Sequence, residues 1–374
     1  MSTRGTLRLA TRGSDLALRQ AESVAAALES RRYEVELVEV ETRGDQLRDE
    51  LIHRLGKVGA FVRALDEKVL DGEVDAAVHS MKDVPTEMPE DLVVAGVPER
   101  APHHDLLLTP DEGGLDDLPR GATVGTSSLR RTAQLRRARA DLDVQPLRGN
   151  VDTRVEKLLG PSLRRERDER IEADNERKGH VDDDDYEPEY DLRPEEWVEG
   201  LSDLERRALD RDVDVEYDAI VLAEAGLTRA DLLGAVSHER LPDDAFVAAP
   251  GQGAIAVTAA DGDVAGTLRE VLDDPPTRVE TTVERTVLAE LGGGCIAPIG
   301  VHARLQGSYV RTDVQVLSPD GETVVGETRD LPAEQHMTAA RDLAADLREE
   351  GAADVIEEAV RDADEGDRGG SEDD

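Results

Sequence analysis

The 374-residue sequence holds a single cysteine, Cys295, and only one Trp, five Tyr and two Phe. One thiol excludes an intramolecular disulfide framework and any multi-cysteine zinc or iron–sulfur site. So few aromatics leave the core to Ala, Val and Leu. No apolar run approaches the roughly 18 residues of a membrane span. The opening MSTRGTLRLATRGSD has no apolar stretch behind a basic segment, so no secretory signal is read and a cytoplasmic protein is expected. Positive charge is scarce as well. Lys and Arg number 45 against 85 Asp and Glu, a net charge of −40, which argues against general nucleic-acid binding because phosphate contact needs a basic face.

The acidity runs along the whole chain, and only five of the basic residues are lysines (Lys57, Lys68, Lys82, Lys157, Lys178). Such a surface suits concentrated salt, where the Debye length falls to about 3 Å at 1 M and self-repulsion is screened. It makes each locally basic cluster more informative. With 38% apolar residues and 32 glycines, a core can be buried, and the length suits two or three domains.

Alternation and helical spacing order the chain into α/β units. TLRLA (6–10) and YEVELVEVET (33–42) read as strands flanking a helix at 15–30. A helix at 60–72 ends at Gly72, and short buried strands follow at 75–80 and 92–98. A second set has strands near 122–128 and 144–150, helices at 129–140 and 151–160, and the segment 217–233. Between them, residues 161–216 carry 22 acidic and 10 basic residues and read as an exposed acidic insertion, partly helical near 194–211 and partly disordered. Strands at 299–305, 309–317 and 322–328 with flanking helices make a third, α+β unit. The expected organisation is thus a three-domain α/β chain with mainly parallel sheets in the first two domains. Domain 1 takes 1–100 and 245–272, domain 2 takes 101–244, domain 3 takes 273–363, and 364–374 is an acidic tail.

Arginines and hydroxyls gather where strands turn into helices: Arg12 and Ser14; Thr126, Ser127 and Ser128 with Arg130 and Arg131; Arg148 and Arg154; Arg229. Helix N-termini present free N–H groups, and guanidinium forks bind carboxylate or phosphate, so these turns suit a ligand bearing several anionic groups. The competing reading is that the arginines only answer surplus surface acid. HSMKDVP (79–85) puts Lys82 and Asp83 at the end of a buried strand, where ligands sit in open parallel sheets. Asp83 suits general acid–base work or cation stabilisation, and equally a turn before Val-Pro. Cys295 follows three glycines and reads as a nucleophile or attachment point, or as an inert small hydrophobe. His103-His104-Asp105 hints at a metal, but neighbouring side chains on an extended segment diverge, so a loop is read. PGQGA (250–254) is a loose phosphate-loop echo lacking GxxxxGK[ST].

At LRLATRGSDLALRQA, ETRGD, HSMKDVP, VGTSSLRR, LRGNVDTR, YDAIVLAEAGLTR, PGQGA and GGGCIAPIG, in that order over most of residues 5–305, the sequence resembles the hydroxymethylbilane synthase (porphobilinogen deaminase) family. The resemblance implies a periplasmic-binding-protein-like clamp of two domains and a small third domain. It also implies a dipyrromethane cofactor held by a thioether at Cys295, and four porphobilinogen molecules joined with loss of ammonia before water releases hydroxymethylbilane. Asp83 matches the family's catalytic carboxylate. Lys82, Thr126, Ser127, Ser128, Arg130, Arg131 and Arg148 match cofactor-binding positions, and Arg12, Ser14, Arg154 and Arg229 match substrate-binding ones. No metal, nucleic acid or membrane is implied, and a monomer is. The sequence departs from the family at Asp15, where Pro is common, at the shifted Lys57, at Glu224 inside the LAxAGLxR segment, at PHHD (102–105), which lacks the arginine usual there, and in the acidic insertion. A non-catalytic clamp for a small polyanion and an inactive relative are the competing readings.

Overall fold

In the computed structural model, which describes residues 4–40, 58–179, 189–292, 294 and 297–369, short apolar runs become the inner strands of two mixed sheets. The chain opens with β1 (Thr6–Arg12), α1 (Asp15–Glu29), β2 (Glu34–Val40), α2 (Val58–Leu70), β3 (Ala76–Ser80) and β4 (Leu92–Gly96). It crosses over to β5 (Asp105–Thr109), β6 (Thr123–Gly125), α3 (Leu129–Ala138), β7 (Asp143–Gln145), α4 (Val151–Gly179), α5 (Pro194–Gly200), α6 (Asp203–Asp210), β8 (Ala219–Ala223), α7 (Glu224–Arg229) and β9 (Ser237–Arg240). It then returns to the first sheet as β10 (Ile255–Ala260), followed by α8 (Asp263–Leu272).

The two sheets have the same plan. The first is ordered β2-β1-β3-β10-β4 and the second β7-β6-β8-β5-β9. In each, the first three strands are parallel. In each, the strand brought by a crossover lies antiparallel between two others, β10 between β3 and β4, and β5 between β8 and β9. Two segments, 97–104 and 241–254, therefore join the halves, as a two-domain clamp requires. β5 is buried at every residue and β3 at all but its last, the pattern of strands covered on both faces. The core around the first sheet is built of Leu7, Leu9, Val24, Leu28, Val78, Val257 and Leu268 without a buried aromatic ring, as the composition demanded.

The third unit comprises α9 (Pro275–Leu291), the antiparallel strands β11 (Ile299–Gln306), β12 (Tyr309–Leu317) and β13 (Val324–Pro332), α10 (His336–Leu347) and α11 (Ala353–Gly369). Asp274 caps α9 by accepting the Thr277 N–H at 2.9 Å, and prolines occupy its first turn. The expected acidic tail begins inside α11, which runs to Gly369; residues 370–374 lie outside the described residues.

The insertion is not wholly an exposed excursion. The helix expected to stop at 160 continues through Pro161 to Gly179. α6 packs on α4, and Leu163, Leu201, Leu204, Ala208 and Leu209 join Leu158 and Ile220 in one core. Gly160 permits that approach: a Cβ there would sit 2.6 Å from the Ala208 carbonyl oxygen. Charge dominated the sequence reading because the leucines are spaced widely among acids. Ser202 and Glu205 cap α6 reciprocally, a local signal that the segment is a helix.

Candidate active site

The anion-binding candidates sit at the carboxyl ends of the parallel strands of both sheets, where ligands bind in open sheets, and the two groups come near each other, since Arg131 and Arg154 both act on Lys82. Arg12 ends β1, and Ser14 caps α1, accepting the Ala17 N–H at 3.4 Å. Met81–Asp83 form a single 3-10 turn directly after β3, closed by Val84 N–H donating to the Met81 carbonyl at 3.1 Å. Thr126–Ser128 follow β6, Arg148 follows β7, and Arg229 ends the short helix after β8.

The turn bearing Asp83 is braced from three sides. Arg285 of α9 donates to the Val84 and Pro85 carbonyls, each at 2.7 Å. Beneath it, buried His79 shares Nε2 contacts with Asp66 at 3.0 Å and Thr258 at 3.1 Å. Gly251, at φ 75°, lies so close that a Cβ would stand 2.6 Å from Met81 Cγ. The Asp83 carboxylate itself is exposed, and among the described residues it has no hydrogen-bond or ion-pair partner. Lys82 keeps exposed surface but lies low in a cleft crowded with protein. Asp83 is its strongest single neighbour and favours its charged form, yet burial together with Arg131 and Arg154 leaves its pKa below the ordinary lysine value. Lys82 of one half thus feels two arginines of the other.

On the facing side, burial and then the charge of Arg131 bring the Arg154 pKa down to about 10, and its Nε donates to the Gly149 carbonyl at 2.8 Å. Burial also lowers Arg229, whose Nη2 donates to the Gly253 carbonyl at 2.6 Å. Arg148 is half-buried with no ion pair among the described residues. Ser128 caps α3 by accepting the Arg131 N–H at 3.4 Å, Thr126 Oγ1 accepts the Ser128 N–H at 3.2 Å, and Ser127 donates to the Leu147 carbonyl.

Two candidates are engaged elsewhere. Arg130 is buried with Nη2 donating to Asp105 at 2.8 Å and Nη1 donating to the Val247 carbonyl at 2.8 Å and to Gln134 at 2.7 Å. Arg131 grips the other Asp105 oxygen with Nε at 3.0 Å and Nη2 at 2.7 Å. Burial pushes the Asp105 pKa up, but the two guanidiniums and their hydrogen bonds outweigh it, so this carboxyl lies well below the ordinary range. Arg130 Nε is unsatisfied; Arg131 also donates Nη1 to the Val221 carbonyl at 3.1 Å, and its charge is felt at Lys82 and Arg154.

Asp105 was read only as the end of a His-His-Asp loop; nothing in a lone aspartate marks it as the anchor of two arginines. Gln252, Arg100 and Glu284 were missed for the same reason. Gln252 donates to Asp105 at 2.8 Å, and Arg100 meets Glu284 at 2.7 and 3.2 Å. PGQGA is not a phosphate loop but the close-packed inner part of the second crossover: a Cβ on Gly253, at φ 87°, would lie 2.4 Å from the Ala101 carbonyl oxygen. Glu224 is buried and paired with Arg240 at 2.6 Å, so its charge is answered away from the cleft arginines. ETRGD, Lys57 and Cys295 lie outside the described residues.

Residues 7–164 and 199–266 match the family described as "Porphobilinogen deaminase, dipyromethane cofactor binding domain", and residues 279–351 match "Porphobilinogen deaminase, C-terminal domain". The unmatched stretch 165–198 narrows the insertion to a segment that begins inside α4 and ends inside α5. A "Probable porphobilinogen deaminase" of the halophile Halobacterium salinarum is 55% identical over 96% of this chain and 99% of its own length. A "Porphobilinogen deaminase" of Rubrobacter xylanophilus is 39% identical over 94% of this chain and 97% of its own. With four-fifths of its length inside the two family regions and relatives matched end to end, this chain belongs to the porphobilinogen deaminase family.

Proposed function

We propose that the chain is a hydroxymethylbilane synthase, a transferase of tetrapyrrole biosynthesis that joins four porphobilinogen molecules head to tail. The single observation that carries this reading is the exposed, unpaired Asp83 carboxylate held on a braced turn beside Lys82, facing Arg131 and Arg154 across the cleft. A dipyrromethane linked through Cys295 is the cofactor of this reading, supplying a nucleophilic pyrrole carbon on which the product is built. The donor set fits such a group: its acetate and propionate arms need several fixed cations. In a chain of charge −40, Lys82, Arg131, Arg148 and Arg154 form a local basic field.

In this scheme Arg12, Ser14, Arg154 and Arg229 hold the incoming porphobilinogen by its carboxylates, and Lys82, Thr126, Ser127, Ser128, Arg131 and Arg148 hold the cofactor. Arg130, anchored like Arg131 on Asp105, belongs to the same cofactor-side group of cations. Asp83 lies against the pyrrole N–H of the substrate. As the aminomethyl C–N bond breaks and ammonia leaves, positive charge develops on the substrate ring, and the fixed carboxylate stabilises it. Asp83 would then accept the proton released from the nucleophilic pyrrole carbon as the new C–C bond forms and pass it to solvent. The reading includes a cytoplasmic monomer, as the sequence suggested; sedimentation in the protein's working salt checks the monomer.

Intact mass spectrometry tests the proposal. The purified chain should carry excess mass of two pyrrole units that Cys295→Ala lacks, and incubation with porphobilinogen should add further units one at a time. Unmodified mass in both, persisting with substrate, would leave the non-catalytic clamp as the better account.

A further inference from the structure

Two neighbouring histidines in the first crossover segment behave in a way an extended chain does not ordinarily allow: both turn to the same carboxylate. His104 Nδ1 lies 2.9 Å from Asp243 Oδ1, and His103 Nε2 lies 3.6 Å from Asp243 Oδ2. The two imidazole centroids are 4.2 Å apart and tilted by 36°. One ligand atom from each of the three residues falls within 4.8 Å of the other two. Asp243 belongs to the second crossover segment, so the three groups join both connections between the clamp domains.

The site is built rather than incidental. The His103 carbonyl accepts from Gln252 Nε2 at 2.6 Å, and the His104 carbonyl accepts from the Glu224 N–H at 3.0 Å, which fixes both residues' backbone. His302 of β11 stacks on His103 at 3.7 Å with 15° between ring planes, setting its tilt from the third domain. His103 Nε2, shielded from solvent, has no hydrogen-bond partner although it points toward the carboxylate. Among the described residues no Lys or Arg forms an ion pair with Asp243. The nearby cations are committed elsewhere, Arg100 to Glu284 and Arg240 to Glu224.

We propose that His103, His104 and Asp243 form a binding site for a divalent transition-metal ion of the zinc class, bridging the two segments that join the clamp domains. Ligands on a tetrahedral zinc at about 2.0–2.1 Å stand roughly 3.3 Å apart. The histidine nitrogens lie 2.9 and 3.6 Å from the two oxygens of the Asp243 carboxylate, and one ligand atom from each residue falls within 4.8 Å of the others, so closing on a single ion needs shifts of at most roughly 1.5 Å. Two imidazoles with one carboxylate select zinc, cobalt, nickel or copper over magnesium and calcium, which prefer all-oxygen shells. Three protein ligands leave the fourth position to water.

The test uses the full chain, dialysed against a chelator and titrated with Co²⁺ by visible absorption and calorimetry. The expected result is one equivalent bound with the intense d–d bands of a four-coordinate ion, displaced by Zn²⁺. Binding should be weakened at least tenfold by Asp243→Asn, at a position exposed enough to keep the fold, and abolished by His104→Ala. Absence of a stoichiometric site, equal binding by Asp243→Asn, or a thiolate charge-transfer band that vanishes in Cys295→Ser would each overturn it.

Discussion

Two aspartates of the candidate site have contrasting surroundings. Asp105 has no exposure to solvent and holds two arginines, so removing its charge leaves two buried guanidiniums uncompensated. Breaking such a cluster costs about 3–5 kcal/mol, and Asp105→Asn should lower unfolding stability by that order in a denaturant titration. Asp83 is exposed and makes no such pair. Asp83→Asn should keep stability within about 0.5 kcal/mol, yet cut turnover by roughly 10²–10⁴, the usual worth of a positioned acid–base group. If both variants lost stability equally, Asp83 would be a structural residue and its catalytic assignment wrong. Much of this was legible in sequence, because Ser-Ser-Leu-Arg-Arg and Ser-Met-Lys-Asp announce a strand ending in a polar turn. That Arg130 spends its donors on Asp105, Gln134 and the Val247 carbonyl was not legible. Its partners lie up to 122 residues away, and no local pattern reports them.

Among elements, the acidic insertion shows how charge can hide packing. α4 extends as a 29-residue helix, about 43 Å at 1.5 Å per residue, and its inner turns carry Leu158, Leu159 and Leu163 against α6. Excising 161–216 would strip Leu163, Leu201, Leu204, Ala208 and Leu209 from one core. Large-to-small losses of single buried leucines already cost about 2–5 kcal/mol each, so that deletion should yield an unfolded or aggregating protein. A shorter excision of 165–198, the stretch outside the family match, keeps those five residues and should retain a cooperative unfolding transition and porphobilinogen consumption. Comparing the two deletions by calorimetry and activity separates packing from solvation. Strands and helices with strong periodicity were readable. β5 and β9 were not, because an isolated apolar pentapeptide and a four-residue edge strand carry no period, and their places in the sheet come from the crossover alone.

At the scale of the whole molecule, three domains meet at a junction of buried polar groups, and that junction makes stability pH-dependent. His302 from the third domain packs on His103 from the first crossover. Burial first, then the charge of Arg100, brings His302 down to about 3, with Asp243 opposing and His104 and Arg304 adding to the fall. Burial, then His302 and His104, bring His103 to about 3 as well, with Asp243 opposing. Both histidines are neutral in the folded protein at pH 7, while in the unfolded chain each takes a proton near pH 6.5. Between those values the unfolded state binds more protons, so stability is fully present above about pH 6.5 and falls as the pH drops toward 3. Each histidine contributes up to roughly 1.4 kcal/mol per pH unit within that window. In chelator-treated protein the melting temperature should therefore fall between pH 7.5 and pH 5, a range where Asp105 and the other low-pKa carboxylates do not titrate. His302→Phe preserves a flat ring against His103 and removes one titrating group, so its melting temperature should depend less steeply on pH. An unchanged slope in that variant would mean the acid sensitivity arises outside the three-domain junction.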